Sequence, residues 1–133
     1  MTMAARILLL LAALAAVTAA TPKSRPDPAT VAAGAKLYAQ YCATCHGKTG
    51  EGDGPAAAGL KPTPRNFHDT RQLKSKTDDD LSKVISKGGP ALGLSPTMVG
   101  WGAILKEPQI RQLVAFVRST IDNAPGGAGA KAK

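Results

Sequence analysis

Apolar residues recur at helical spacing in three separate segments of this 133-residue chain, and each segment predicts a helix. The first segment runs from about residue 29 to residue 45. It is followed by Gly47, and glycine commonly ends a helix. The apolar face of this segment carries Val31, Ala35, Tyr38 and Cys42.

The second predicted helix begins at Thr77, a favourable N-cap, and ends at Gly88. Aspartates 78–80 occupy its first turn, where negative charge interacts favourably with the helix dipole. Its apolar face consists of Leu81, Val84 and Ile85. The third predicted helix has Pro108 near its first turn and a stripe that we assign to the core. The stripe consists of Ile110, Leu113, Val114, Val117 and Ile121.

Glycine and proline interrupt the middle of the chain so often that no strand is predicted there. They are Gly50, Gly52, Gly54, Pro55, Gly59, Pro62, Pro64, Pro90 and Pro96. The expected fold is therefore small and all-α, with three main helices and long loops.

One short motif specifies a chemistry, because Cys42, Cys45 and His46 form the string C-x-x-C-H. Two cysteines at this spacing lie on one face of a helical turn, so their sulfurs can form thioether bonds to one haem while the adjacent imidazole binds the iron. A zinc site is less favoured, because it would need about four Cys or His ligands and this chain has no second paired cluster of them. A dithiol oxidoreductase would place the pair after a strand in a βαβ pattern. The motif therefore predicts a single, covalently attached haem c.

The N-terminal residues predict export. A short basic start precedes an apolar run over residues 7–17 and small residues at 18–20, as in a signal peptide. A retained anchor is less favoured because the run is shorter than the ~20 residues that span a bilayer. We therefore expect a cleaved signal at 1–20 and a soluble periplasmic protein with no membrane span.

Composition divides the rest of the chain into one domain and two flexible ends. Residues 21–28 form a proline-bearing linker, 29–122 the predicted haem domain, and 123–133 a tail of mainly Ala, Gly and Lys. The mature length is enough for one domain, and we expect a monomer.

The chain is basic, with 17 Lys and Arg against nine Asp and Glu, a net charge of +8 that becomes +7 when Arg6 is removed with the signal. An exported haem protein without interleaved aromatic and basic residues is not expected to bind nucleic acid. Its expected partners are redox proteins with an acidic docking face, and an anionic membrane surface is the alternative. Seven basic residues fall between Lys61 and Lys87, although Asp69 and aspartates 78–80 dilute that segment.

The second axial ligand of the iron decides what the haem can do. Met98 is the only methionine left after removal of residues 1–20, and it lies in a loop stiffened by Pro96 and Gly100. His68 is the competing ligand, but its polar surroundings favour a surface histidine. We therefore predict axial ligation by His46 and Met98.

Together these residues resemble the class I monohaem cytochromes c of bacteria over about residues 29–121. The resemblance rests on residues 41–47 around the motif, 50–60, 62–67, and Met98 with Trp101-Gly102 before a last helix that contains residues 113–118. It implies the class I cytochrome c fold, in which the first and last helices cross. It also implies that the carbonyl of Pro62 or Pro64 accepts a hydrogen bond from His46, and it adds Arg65 and Trp101 as haem-pocket candidates. Lys106 departs from the usual Ser or Thr cap of the last helix.

A haem iron with two protein ligands has no open site for a substrate, so the expected function is single-electron transfer and not catalysis. No nucleophile paired with a base, acidic metal cluster or phosphate-binding loop is evident. One alternative is a dedicated haem subunit of a larger oxidoreductase complex. A less favoured one is a haem sensor or catalyst with an open sixth site.

Overall fold

The computed structural model describes residues 25–125, which fold into helices and loops with no strand in that range. The α-helices are α1 (Pro28–Tyr41), α2 (Ala43–His46), α3 (Thr70–Leu73), α4 (Asp78–Lys87) and α5 (Glu107–Asn123). Two 3-10 turns, Ala57–Gly59 and Gly89–Leu92, precede α3 and follow α4 respectively. The all-α prediction is confirmed. The predicted signal peptide, the first residues of the predicted linker and most of the predicted tail lie outside the described residues.

The first predicted helix is interrupted at Cys42. The φ angle of this residue is −119°, well away from the helical value, so α1 ends and the chain restarts as the single turn α2. The Cys42 N–H still donates to the Tyr38 carbonyl, and the His46 N–H donates to the Cys42 carbonyl at 2.9 Å. The motif thus spans a break between two helices and is not the last turn of one continuous helix.

The helix α4 begins where its sequence predicts. The Thr77 hydroxyl accepts from the Asp80 N–H at 3.0 Å, and the Asp80 carboxylate accepts from the Thr77 N–H at 2.9 Å. This reciprocal capping satisfies two backbone donors that the first turn would otherwise leave unpaired. Gly88, with φ of 88°, ends the helix.

The last helix is capped without Ser or Thr. The side-chain oxygen of Gln109 accepts a hydrogen bond from the Lys106 N–H at 2.9 Å, and Pro108 lacks an N–H that would need a partner. The first turn of α5 is therefore capped, although position 106 is Lys and not the usual Ser or Thr.

The helices α1 and α5 pack against each other at Gly34. A Cβ atom built on this glycine would lie 1.9 Å from the Gln112 carbonyl oxygen and 2.9 Å from the Phe116 Cβ. The two backbones therefore approach more closely than any side chain at position 34 would permit.

The core is built on the predicted stripe of α5. All five stripe residues are buried, and Leu113 and Ile121 have no exposed surface. Arg118 is also buried on this helix, which the pattern did not predict. Its guanidinium donates to the Asp78 carboxylate at 2.7 Å and to the Lys76 carbonyl at 2.6 Å, so it ties the start of α4 to α5.

Among the described residues, no helix is both long and apolar enough to cross a membrane.

Candidate cofactor site

A cavity of about 800 Å³ lies between the C-x-x-C-H motif, the 60–65 loop, α4 and the loop that follows α4. This volume is within the usual range for sites that bind a small molecule or cofactor. Much of its wall is apolar, including Leu60, Leu73, Leu81, Val84, Ile85 and Trp101. All three residues of the motif and Met98 also line it.

The two cysteines form no disulfide and are partly buried. Burial, with a smaller contribution from the neighbouring Cys45, raises the pKa of Cys42 to about 11. The Cys42 thiol is therefore protonated at neutral pH. Both sulfur-bearing residues line the same cavity, as attachment to a single cofactor requires.

The His46 imidazole is held on its edge and on its face. Its Nδ1 lies 3.3 Å from the Arg65 carbonyl oxygen. Its ring stacks on the buried ring of Phe67, with centroids 4.9 Å apart and planes inclined at 22°. Burial lowers the pKa of His46, and the Arg65 carbonyl opposes this in part, so the neutral ring is favoured near pH 7. With Nδ1–H donating to this carbonyl, Nε2 keeps the lone pair that can bind a metal.

The expected acceptor for His46 was the carbonyl of Pro62 or Pro64, and the structure corrects this. Both prolines line the cavity, but the carbonyl beside Nδ1 is that of Arg65. The Pro64 carbonyl faces Gly52, where a Cβ would lie only 2.3 Å from its oxygen. The 62–67 segment thus places the Arg65 carbonyl, and not that of either proline, beside the histidine.

Backbone hydrogen bonds fix the Met98 loop against the end of α4. The Met98 carbonyl accepts from the Gly89 N–H at 2.8 Å, and the Trp101 N–H donates to the Ile85 carbonyl at 2.9 Å. The Trp101 ring also packs on Tyr41, with centroids 5.2 Å apart. These contacts hold Met98 and Trp101 at the cavity wall.

His68 lies elsewhere. Its Nε2 is 2.9 Å from the Thr49 carbonyl oxygen, and His68 is not among the residues that line the cavity. In the described structure it joins the 47–50 loop to the 66–69 loop.

Sequence reasoning missed Tyr38 and Phe67 as supports of the motif. The buried Tyr38 hydroxyl donates to the Gly47 carbonyl at 2.8 Å, and burial raises the pKa of this phenol. Gly47 has φ of 80°, and a Cβ there would meet Asp53 Oδ1 at 1.9 Å. The Tyr38 ring in turn contacts Phe67 edge to face at 6.3 Å. The sequence signal for Tyr38 was an aromatic residue on the apolar face of the helix, four residues before the first cysteine.

The donor set fits a haem. Two thiols, a neutral imidazole and a thioether line one apolar cavity, and these groups are suited to thioether attachment and to axial ligation of haem iron. A family model described as Cytochrome c matches residues 31–120. The chain belongs to the cytochrome c family. Membership implies a covalently bound haem c and haem-based electron transfer, so the resemblance and the cofactor prediction are confirmed.

A solved structure gives a second comparison. This cytochrome c is similar to a chain of the Kuenenia stuttgartiensis reducing HAO-like protein complex Kustc0457/Kustc0458. The two have 33% sequence identity and a TM-score of 0.55. The match covers 74% of this chain and 44% of that chain, so this cytochrome c spans less than half of the longer neighbour. No curated protein matches the chain.

Proposed function

We propose that this cytochrome c is a single-electron carrier whose haem is attached through Cys42 and Cys45 and ligated by His46 and Met98. The observation that supports it most is that His46 and Met98 line the same cavity, whereas His68 bonds a carbonyl outside it. When bound, haem c supplies an iron that alternates between the ferrous and ferric states.

The motif residues would attach and orient the cofactor. The thiols of Cys42 and Cys45 would hold the haem through two thioether bonds. His46 offers Nε2, because its Nδ1–H is directed at the Arg65 carbonyl. Hydrogen bonding of this kind fixes the tautomer and makes the ligand more basic.

Met98 would complete the ligand set. A thioether is a soft ligand that favours the ferrous state and raises the reduction potential. The apolar cavity wall limits access of water, which also tunes the potential. If His46 and Met98 both bind the iron, small ligands such as O₂ would find no open site.

The test is substitution of Met98 by alanine in the haem-loaded protein, with His68→Ala as the matched control. Wild type is expected to be low-spin when oxidised, with a weak red charge-transfer band from the sulfur–iron bond. Met98→Ala should lose that band, show a lower potential and bind CO or cyanide readily. His68→Ala should leave all three properties unchanged. A high-spin wild type that binds CO as readily as Met98→Ala would support a sensor or catalyst instead.

One comparison favours a second function, a dedicated haem subunit of an oxidoreductase. The solved neighbour is one chain of a protein complex, and the match covers 44% of that longer chain. A diffusible carrier exchanging electrons with several partners in the periplasm remains our first proposal. Purification of the mature protein from its native periplasm distinguishes the two. A stable stoichiometric complex would support the subunit, and a free monomer would support the carrier.

A further inference from the structure

A buried hydroxyl group outside the cofactor cavity is bonded to the residue that directly follows the motif histidine. Tyr38, on α1, is 2% exposed, and it is not among the described residues that line the cavity. Its hydroxyl donates to the Gly47 carbonyl at 2.8 Å. Contact with the cofactor therefore does not account for a polar group buried at this point of the core.

The backbone around the motif histidine is bonded at every polar group. The His46 N–H donates to the Cys42 carbonyl at 2.9 Å, and the His46 carbonyl accepts from the Gly52 N–H at 2.8 Å. The Gly47 N–H donates to the Ala43 carbonyl at 2.9 Å. Three of the four polar groups of residues 46 and 47 thus have close backbone partners.

The fourth group, the Gly47 carbonyl, depends mainly on a side chain. Besides the Tyr38 hydroxyl, it accepts from the Gly50 N–H at 3.3 Å, which is longer than the usual range of about 2.7–3.2 Å. Gly47 is buried. Loss of the hydroxyl would leave its carbonyl with the longer bond alone, which costs free energy and favours movement of the backbone at this point.

Tyr38 is itself held firmly. Its ring packs on Phe116 of α5 with centroids 4.8 Å apart, and it contacts Phe67 edge to face at 6.3 Å. The helix that carries it meets α5 at the close contact of Gly34. The hydroxyl is therefore fixed relative to the packed pair of helices, and its hydrogen bond fixes the Gly47 carbonyl to the same core.

The His46 ring is sensitive to small movements of its backbone. Its Nδ1 lies 3.3 Å from the Arg65 carbonyl oxygen, at the long end of the range for a hydrogen bond. A shift of a few tenths of an ångström away from this oxygen would therefore break the bond. An imidazole without this bond is a less basic ligand, which stabilises ferric iron less and raises the reduction potential.

We propose that Tyr38 is a positioning residue for His46 and that its hydrogen bond to Gly47 keeps the reduction potential of the haem low. This inference rests on the proposed function, in which His46 binds the iron. The hydroxyl fixes the Gly47 carbonyl, and the fixed backbone keeps the His46 Nδ1–H within reach of the Arg65 carbonyl.

The test is Tyr38→Phe in the haem-loaded mature protein, which removes the hydroxyl and keeps the ring. Exchange of the His46 Nδ1–H with solvent, followed by NMR in the reduced protein, should become roughly tenfold faster because its hydrogen bond opens more often. The reduction potential should rise, and the electron paramagnetic resonance g-values of the oxidised protein should shift.

Thr120→Val is the matched control. The Thr120 hydroxyl donates to the Phe116 carbonyl at 3.1 Å within α5, so this variant also removes one partly buried bond from a hydroxyl to a carbonyl. It should leave the Nδ1–H exchange, the potential and the g-values as in wild type.

A Tyr38→Phe variant with wild-type exchange, or with an unchanged or lower potential, would overturn the proposal even if it unfolds more easily. Tyr38 would then support the fold alone. Equal changes in Thr120→Val would overturn it too, because general loosening of the core would then explain them.

The sulfur–iron band separates this proposal from the proposed function. If wild type and Tyr38→Phe both show the band and do not differ in exchange or potential, the electron carrier stands and only the role of Tyr38 is refuted. A wild type without the band would refute ligation by Met98. The Nδ1–H exchange in wild type and Tyr38→Phe would still decide the role of Tyr38, because it is measured with or without Met98 on the iron.

Discussion

His46 and Phe67 stack face to face, although 21 positions separate them in the chain, with ring centroids 4.9 Å apart and planes inclined at 22°. The Arg65 carbonyl, two residues before Phe67, lies 3.3 Å from the same imidazole. One short segment therefore contacts both the face and the edge of the histidine and restricts rotation of the ring.

This contact predicts that Phe67 controls the orientation of the His46 imidazole. In the oxidised haem-loaded protein, Phe67→Leu should shift the electron paramagnetic resonance g-values, because a ring without its stacking partner can rotate. The matched control is Phe116→Leu, which removes a ring that packs on Tyr38 at 4.8 Å. Phe116→Leu should change stability and leave the g-values as in wild type. Identical spectra for wild type and Phe67→Leu would show that the hydrogen bond to the Arg65 carbonyl is enough to fix the His46 ring.

The motif predicts covalent attachment of one haem. After acid-acetone extraction, the intact mass of the exported protein should equal the chain from about Thr21 plus one haem. The double variant Cys42→Ala, Cys45→Ala should release its haem under the same treatment. An unmodified polypeptide mass for the wild type would contradict both the attachment and the assignment of the two thiols.

The buried Arg118 predicts an unequal effect of two neighbouring aspartates. Asp78→Ala leaves the buried guanidinium without its carboxylate, which should lower the free energy of unfolding by about 3 kcal/mol. Asp79→Ala removes the same charge from the same helical turn at an exposed position and should cost about 0.5 kcal/mol or less. Urea unfolding of the haem-loaded protein measures both. Equal costs would mean that only the helix dipole is affected.

The close packing of α1 on α5 predicts that Gly34 does not tolerate even alanine. Alanine is the better helix former, yet its Cβ would overlap the Gln112 carbonyl, so Gly34→Ala should cost about 2 kcal/mol or more through overpacking. Gly59 provides the control, since a Cβ there meets nothing within 4 Å. Thermal unfolding should show a lower midpoint for Gly34→Ala and no loss for Gly59→Ala. A midpoint at or above wild type in Gly34→Ala would mean that the helices separate at no cost.

Local patterns in the sequence were enough for the three main helices and the chemistry of the motif. The Thr77 cap, the stripe from Ile110 to Ile121 and the string from Cys42 to His46 each depend on residues a few positions apart. The local structure that each pattern forms is set by helical geometry and by neighbouring backbone donors. The break at Cys42 and the short helix α3 escaped prediction because single turns carry little periodic signal.

Only the tertiary structure decided which distant residues meet. Arg65 rather than a proline faces His46, His68 turns to the Thr49 carbonyl, and Arg118 is buried because Asp78 and the Lys76 carbonyl receive it. Each contact joins residues 19 or more positions apart. No spacing rule applies at such separations, because the loop path and the packing of α1 on α5 determine which groups come within hydrogen-bond distance.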